Sequence, residues 1–181
     1  MGADKASLTF KGVPIWRRQI AVLETAGADG IIISGRDDGP WRGGLWKTVP
    51  DERPGLGPVS GLLAGLEHSR TILTACLAVD MPGMSAEYLR GLIAEAARSN
   101  VSVVPKTNNR WEPLAAAYHR NILDLVSGRL KAGQYSLQRL LDAAFRQGLV
   151  TAKHVTPDES PLFCNTNTPA EWNAFTARGS T

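Results

Sequence analysis

The residue most suited to chemistry is an aspartate that ends an apolar run: Asp80 in TILTACLAVDMPGMS (71–85). An acid at the tip of a buried strand either caps a turn or a following helix, or it holds a ligand. Position alone leaves both readings open. A second group lies in DERPGLGPVSGLLAGLE (51–67), where Gly57, Gly61 and Gly65 fall on one side of a helix begun by Pro58. Glycine inside a helix costs about 1 kcal/mol relative to alanine, so three on one stripe imply close approach by another backbone or a flat ligand. Tight helix–strand packing accounts for Gly65, whereas Gly57 and Gly61 read as ligand-facing. The turn Pro54-Gly55-Leu56-Gly57 presents free N–H groups at a helix start, suited to an anion or a nucleobase edge. Asp51, just upstream, is placed to accept from a base or a ribose. In FCNTNTPAEW (163–172), Asn165 and Asn167 stand two apart at the expected end of a strand. Their amides offer donors and acceptors to a polar, uncharged heterocycle, with turn chemistry before Pro169 as the alternative. Lys5, in MGADK, reads by itself as a solvated lysine; beside a phosphate-binding loop it would neutralise charge on phosphoryl groups.

Alternating helices and strands must position these residues. PIWRRQIAVLETAG (14–27) has an apolar helical stripe and stops at Gly27. GIIIS (30–34), TILTACLAV (71–79) and VSVVP (101–105) read as buried strands. RDDGPWRGGLWKTVP (36–50) reads as loop. Helices are expected over 58–69, 86–98 (capped by Ser85) and 136–148 (capped by Ser136, stopped by Gly148), with 113–130 extended or helical at first and helical by its middle. A late strand over 162–167 and a short helix over 169–175 complete the chain. Strands separated by helices predict a mostly parallel sheet flanked by helices, with ligands beyond the strands' carboxyl ends. The expected organisation is one domain, 1–176, with a disordered tail over 177–181.

Composition narrows the class. The chain has 181 residues, 43% hydrophobic, enough for one sizeable core. Its net charge of +3 is compatible with an anionic small molecule and too weak to argue for nucleic acid. The residues MGADKASLTFKG give no leader signal, and no apolar stretch reaches the roughly 18 residues of a membrane span, so a cytoplasmic protein is expected. Cys76 and Cys164 sit in apolar runs, as small core residues rather than ligands or a disulfide.

In series, MGADK, Asp51 with GLGPVSGLLAGL, AVDMPGM, RWEPLAAAYHR and FCNTNTPAEW resemble the molybdenum cofactor guanylyltransferases over nearly the whole chain. The resemblance implies a three-layer, Rossmann-like nucleotidyltransferase fold. It also implies transfer of GMP from GTP to molybdenum-bound molybdopterin, with release of pyrophosphate. Carried over by motif, Lys5 would contact the triphosphate, and Asp51, Gly57 and Gly61 would hold the guanine nucleoside. Asp80 would bind Mg²⁺ and the nucleotide; Asn165 and Asn167 would face the pterin. Molybdoenzyme chaperones are possible partners.

The resemblance departs at the start. Family members place a buried strand and a glycine-rich loop ahead of the Met-Gly-x-Asp-Lys element, and neither is found here. The expectation is a start assigned too late, with a divergent, non-transferring copy as the alternative. After the strand 30–34 the chain reads Ser34-Gly35-Arg36, where relatives often carry asparagine. Competing functions are a sister enzyme using CTP or another phosphorylated acceptor, and a non-catalytic nucleotide-binding or scaffold module.

Overall fold

The computed structural model describes residues 8–35, 38–50, 57–166 and 168–178. A short hairpin, β1 (Thr9–Phe10) with β2 (Val13–Pro14), leads into α1 (Ile15–Ala26). That helix ends where its apolar stripe ends, with Gly27 in the left-handed region at φ 100°. The next strand, β3 (Ile32–Ser34), pairs in parallel with β4 (Lys47–Val49), which lies inside the stretch expected to be loop. After α2 (Pro58–His68), opened by its proline, comes β5 (Leu73–Leu77). Ser85 accepts a hydrogen bond from Tyr88 N at 3.2 Å and so caps α3 (Ala86–Ser99).

The sheet is mixed where a mostly parallel one was expected. Following β6 (Ser102–Thr107) and β7 (Arg110–Trp111), residues of the expected helix 113–130 form β8 (Ala115–His119). This strand lies between β5 and β6 and runs antiparallel to both. The reason is size and burial: Ala115, Ala116, Ala117 and Tyr118 are fully buried, and small residues fit a central strand covered on both faces. Helix begins only with α4 (Leu123–Lys131). The capped α5 (Leu137–Arg146) then leads to β9 (Val150–His154), an unanticipated strand parallel to β6. The late strand expected over 162–167 does not form. A 3-10 turn occupies Ser160–Phe163, and Pro161 within it has no N–H to give a ladder. The last helix, α6 (Pro169–Arg178), extends beyond the expected domain end; residues 179–181 lie outside the described residues.

Alternation along the strands separates two cores. Val104, Ala116 and Tyr118 point toward α2, α4 and α5, whereas Val103, Ala115 and Ala117 point toward α3. The result is a three-layer α/β arrangement, with helices on both faces of the sheet. A smaller apolar cluster joins Trp16 and Ile20 of α1 to Ile31, Ile33, Trp41 and Trp46 around β3 and β4. Both cysteines are free; Cys76 is partly buried, but Cys164 is exposed rather than a core residue. Among the described residues, no helix is long and apolar enough to cross a membrane.

Candidate active site

Asp80 follows β5 at the carboxyl end of the strand and is half-buried. It is not the cap of the next helix, since Ser85 takes that role. Its backbone carbonyl accepts from Thr166 N at 3.0 Å, while its carboxylate has no hydrogen-bond or ion-pair partner among the described residues. Instead Asp80 lines a cavity of about 470 Å³ together with Asn165, Thr107, Arg110 and Glu112. A strand-tip carboxylate with no protein partner is free to take a cation or a donor from a ligand.

Three contacts hold this tip, and sequence reasoning missed them. Gln19, buried in α1, donates from Nε2 to Ala78 O at 3.0 Å and to Met81 O at 2.7 Å. It thereby fixes the backbone on both sides of Asp80 from a helix about sixty residues away in the chain. Gly83 carries the second contact: a Cβ there would stand 2.8 Å from Pro161 O. The turn after Asp80 therefore packs directly on the 3-10 backbone that precedes Asn165. Buried Thr166 makes the third, to the Asp80 carbonyl. Asn165 reaches the cavity on this tethered loop, not from a strand end. Beyond it, Thr168 N donates to Glu171 Oε2 at 2.8 Å and Glu171 N to Thr168 Oγ1 at 3.2 Å, a capping box that opens α6. Asn167 lies outside the described residues.

The opposite wall is the β6–β7 hairpin. Its turn residues, Asn108 and Asn109, have φ of 47° and 64°, the left-handed pair that a two-residue hairpin turn requires. Asn108-Asn109 between two strand-like runs was the readable signal for it. Gln138 of α5 extends the hairpin edge, accepting from Trp111 N at 3.0 Å and donating to Trp111 O at 2.8 Å. The Trp111 indole N–H donates to Asp142 at 2.8 Å. Glu112 is held above the ordinary carboxyl range by burial, with the Thr107 hydroxyl and Arg110 pulling the other way.

The glycines lie on a different cavity. Gly57, at φ 73°, and Gly61 line a space of about 760 Å³ between β3 and β5. A Cβ on Gly61 would come within 3.0 Å of Ser34 Oγ, so Gly61 lets α2 approach β3 closely. At Gly65 a Cβ would meet open space. The two cavities share Leu114, whose carbonyl accepts from Ala78 N at 2.7 Å. Asp80 and Asn165 are thus brought together, and Gly57 and Gly61 border the neighbouring space. Lys5 and Asp51 lie outside the described residues. No cluster of three metal-ligating side chains occurs among the described residues.

Known proteins resemble this chain in sequence and in fold. The family profile described as the MobA-like NTP transferase domain matches residues 1–153. A probable molybdenum cofactor guanylyltransferase of Opitutus terrae is 33% identical over 174 residues, which cover 94% of this chain and 86% of that relative. A protein of the same description from Deinococcus radiodurans is 33% identical over 98% of this chain and 88% of its own. Among solved structures, molybdopterin-guanine dinucleotide biosynthesis protein A from Archaeoglobus fulgidus superposes with a TM-score of 0.78 at 23% identity, covering 99% of this chain and 92% of that one. A 2-C-methyl-D-erythritol 4-phosphate cytidylyltransferase from Thermus thermophilus superposes at 0.75 with 13% identity, over 98% and 94%. The fold is that of the nucleotidyltransferases, and the chain belongs to the MobA-like NTP transferase family.

Proposed function

We propose that the protein transfers GMP from GTP to molybdenum-bound molybdopterin, forming the guanine dinucleotide cofactor and releasing pyrophosphate. The observation that carries this reading is the Asp80 carboxylate, which has no partner among the described residues and lines one cavity with Asn165 at the carboxyl end of β5. The names of the 33%-identical relatives supply the substrates.

In the reaction, a terminal phosphate oxygen of the pterin attacks the α-phosphorus of GTP in line. A new P–O–P linkage forms, the bond to the bridging oxygen of the β-phosphate breaks, and pyrophosphate leaves with that electron pair. No protein nucleophile is needed; positioning and electrostatics do the work. Magnesium suits a site with one free carboxylate, because it completes its shell with substrate phosphates and water. Bound there, it would supply positive charge against the triphosphate. Asp80 would hold it, with Lys5 toward the triphosphate and Asp51, Gly57 and Gly61 toward the nucleoside. Asn165 and Asn167 would orient the pterin. Gln19 and Thr166 keep the Asp80 backbone from shifting when ligands enter.

The test is label transfer from α-labelled GTP to molybdenum-loaded molybdopterin, with CTP in parallel. Asp80→Ala is expected to lower turnover by about 10²- to 10³-fold without loss of the folded state by circular dichroism. Transfer from CTP but not from GTP would remove the guanine assignment. Wild-type turnover by the alanine variant would remove Asp80 from the site.

A further inference from the structure

We infer that Arg110, on the β6–β7 hairpin across the cavity from Asp80, holds the terminal phosphate of the acceptor. The assignment rests on the transfer reading above and adds a substrate contact to it.

Strand alternation aims the side chain. In the β6–β7 register Lys106 lies opposite Trp111, and Thr107 lies opposite Arg110. Partners across a ladder share one face, while neighbours along a strand take opposite faces. Trp111 turns into the core and is 3% exposed. Glu112 continues the ladder, its N–H donating to Pro105 O at 2.8 Å. Thr107, Arg110 and Glu112 therefore share the other face, and all three line the cavity of about 470 Å³ that Asp80 and Asn165 also line.

The hairpin that carries Arg110 is fixed. Gln138 bonds both backbone groups of Trp111, and the Trp111 indole N–H donates to Asp142. Lys106 Nζ stands 4.2 Å from the centre of the Trp111 ring. From the loop after β9, Val155 N donates to Lys106 O at 3.0 Å. Arg110 itself is exposed, and its guanidinium has no hydrogen-bond or ion-pair partner among the described residues. A rigid backbone thus presents a free cation to the cavity.

Charge decides which part of the acceptor it takes. Among the described residues that line this cavity, Arg110 is the one cation, set against the carboxyls of Asp80 and Glu112. A phosphate monoester carries close to two negative charges at neutral pH, and carboxylates alone would repel it. A guanidinium offers paired N–H donors that match two phosphate oxygens. A monoester has three terminal oxygens, so two held by Arg110 leave the third for attack on the α-phosphorus of GTP. Arg110 keeps its protons throughout; it orients the phosphate and offsets its charge. Lys106 cannot replace it, because its ammonium lies on the Trp111 ring.

The experiment measures binding of molybdopterin and of its dephosphorylated form by quenching of tryptophan fluorescence. The proteins are the parent chain, Arg110→Ala, Arg110→Lys and Lys106→Ala, each checked by circular dichroism. Loss of the phosphate is expected to weaken binding to the parent about 10- to 100-fold, and binding to Arg110→Ala by no more than about threefold. Arg110→Lys, which keeps the charge without the fork, should fall between, and Lys106→Ala should match the parent. Equal phosphate dependence in the parent and in Arg110→Ala would overturn the assignment. So would a loss in Lys106→Ala as large as that in Arg110→Ala, because a general positive field would then account for both. A parent chain that binds both forms equally removes the Arg110 contact alone; one that binds neither form removes the pterin acceptor as well.

Discussion

Glu112 is the side chain of the cavity whose ionisation is most affected by its surroundings. Burial raises its carboxyl above the ordinary value, and Thr107 and Arg110 offset part of that. Thr107 Oγ1 has no hydrogen bond of ordinary geometry in the cavity wall, so its hold on Glu112 is weak beside the effect of burial. An acid raised in the folded state binds its proton more tightly there than in the unfolded chain. The penalty for ionised Glu112 is therefore fully present above its folded value and is relieved as pH falls through that value toward the ordinary carboxyl range. Glu112→Gln is expected to melt slightly higher than the parent at neutral pH, with the gain shrinking toward about pH 4. The measurement is melting temperature against pH for both proteins. A loss of stability at neutral pH that shrinks as pH falls would show that the contacts of the ionised carboxylate with Arg110 and Thr107 outweigh burial. Asp80 differs in kind: what sets it apart is a carboxylate without a partner among the described residues, at a strand tip.

At the scale of elements, the site is a junction of three loops held by backbone contacts. The turn after β5 packs on the 3-10 turn 160–163 through Gly83, and the loop that follows is tied back through Thr166. A methyl at position 83 would press on the Pro161 carbonyl, which belongs to backbone and cannot swing away. Gly83→Ala is expected to destabilise the fold by about 1–3 kcal/mol, read from denaturant midpoints. It should also loosen Asn165 relative to Asp80, seen as faster exchange of the Thr166 amide. Unaltered stability would mean that the 3-10 turn gives way at no cost. The sequence announced most of these elements. Pro58, Ser85, Ser136 and Gly27 mark helix ends by local rules that need no tertiary partner. It failed at β8, where the alanine-rich run 115–118 has high helix propensity and is strand only because two sheet edges enclose it.

At the scale of the whole molecule, packing is uneven. The cores on the two faces of the β5-β8-β6 sheet share fully buried strands, whereas β3 and β4 form a separate two-stranded sheet held by a small aromatic cluster. Amides of 32–34 and 47–49 are therefore expected to exchange through openings of lower free energy than those of 103–104 and 116–118. Native-state hydrogen exchange at increasing denaturant checks this; merging of all four segments into one isotherm would show a single cooperative unit. The edge of β3 explains the contrast, because among the described residues it pairs only with β4, and a strand with one unpaired edge loses half its ladder.

By itself the sequence determined the alternation of helices and strands, the helix caps and the placing of Asp80 where an apolar run meets a turn. These depend on side-chain periodicity and on backbone preferences within a few residues. Only the tertiary structure decided that β8 runs antiparallel between β5 and β6, that the Asn165 loop is tethered to the Asp80 carbonyl, and that Gln19 holds that turn from α1. Those contacts join residues far apart in the chain. Which edge or carbonyl stands unpaired beside which donor is settled when the layers pack, and no local pattern encodes it.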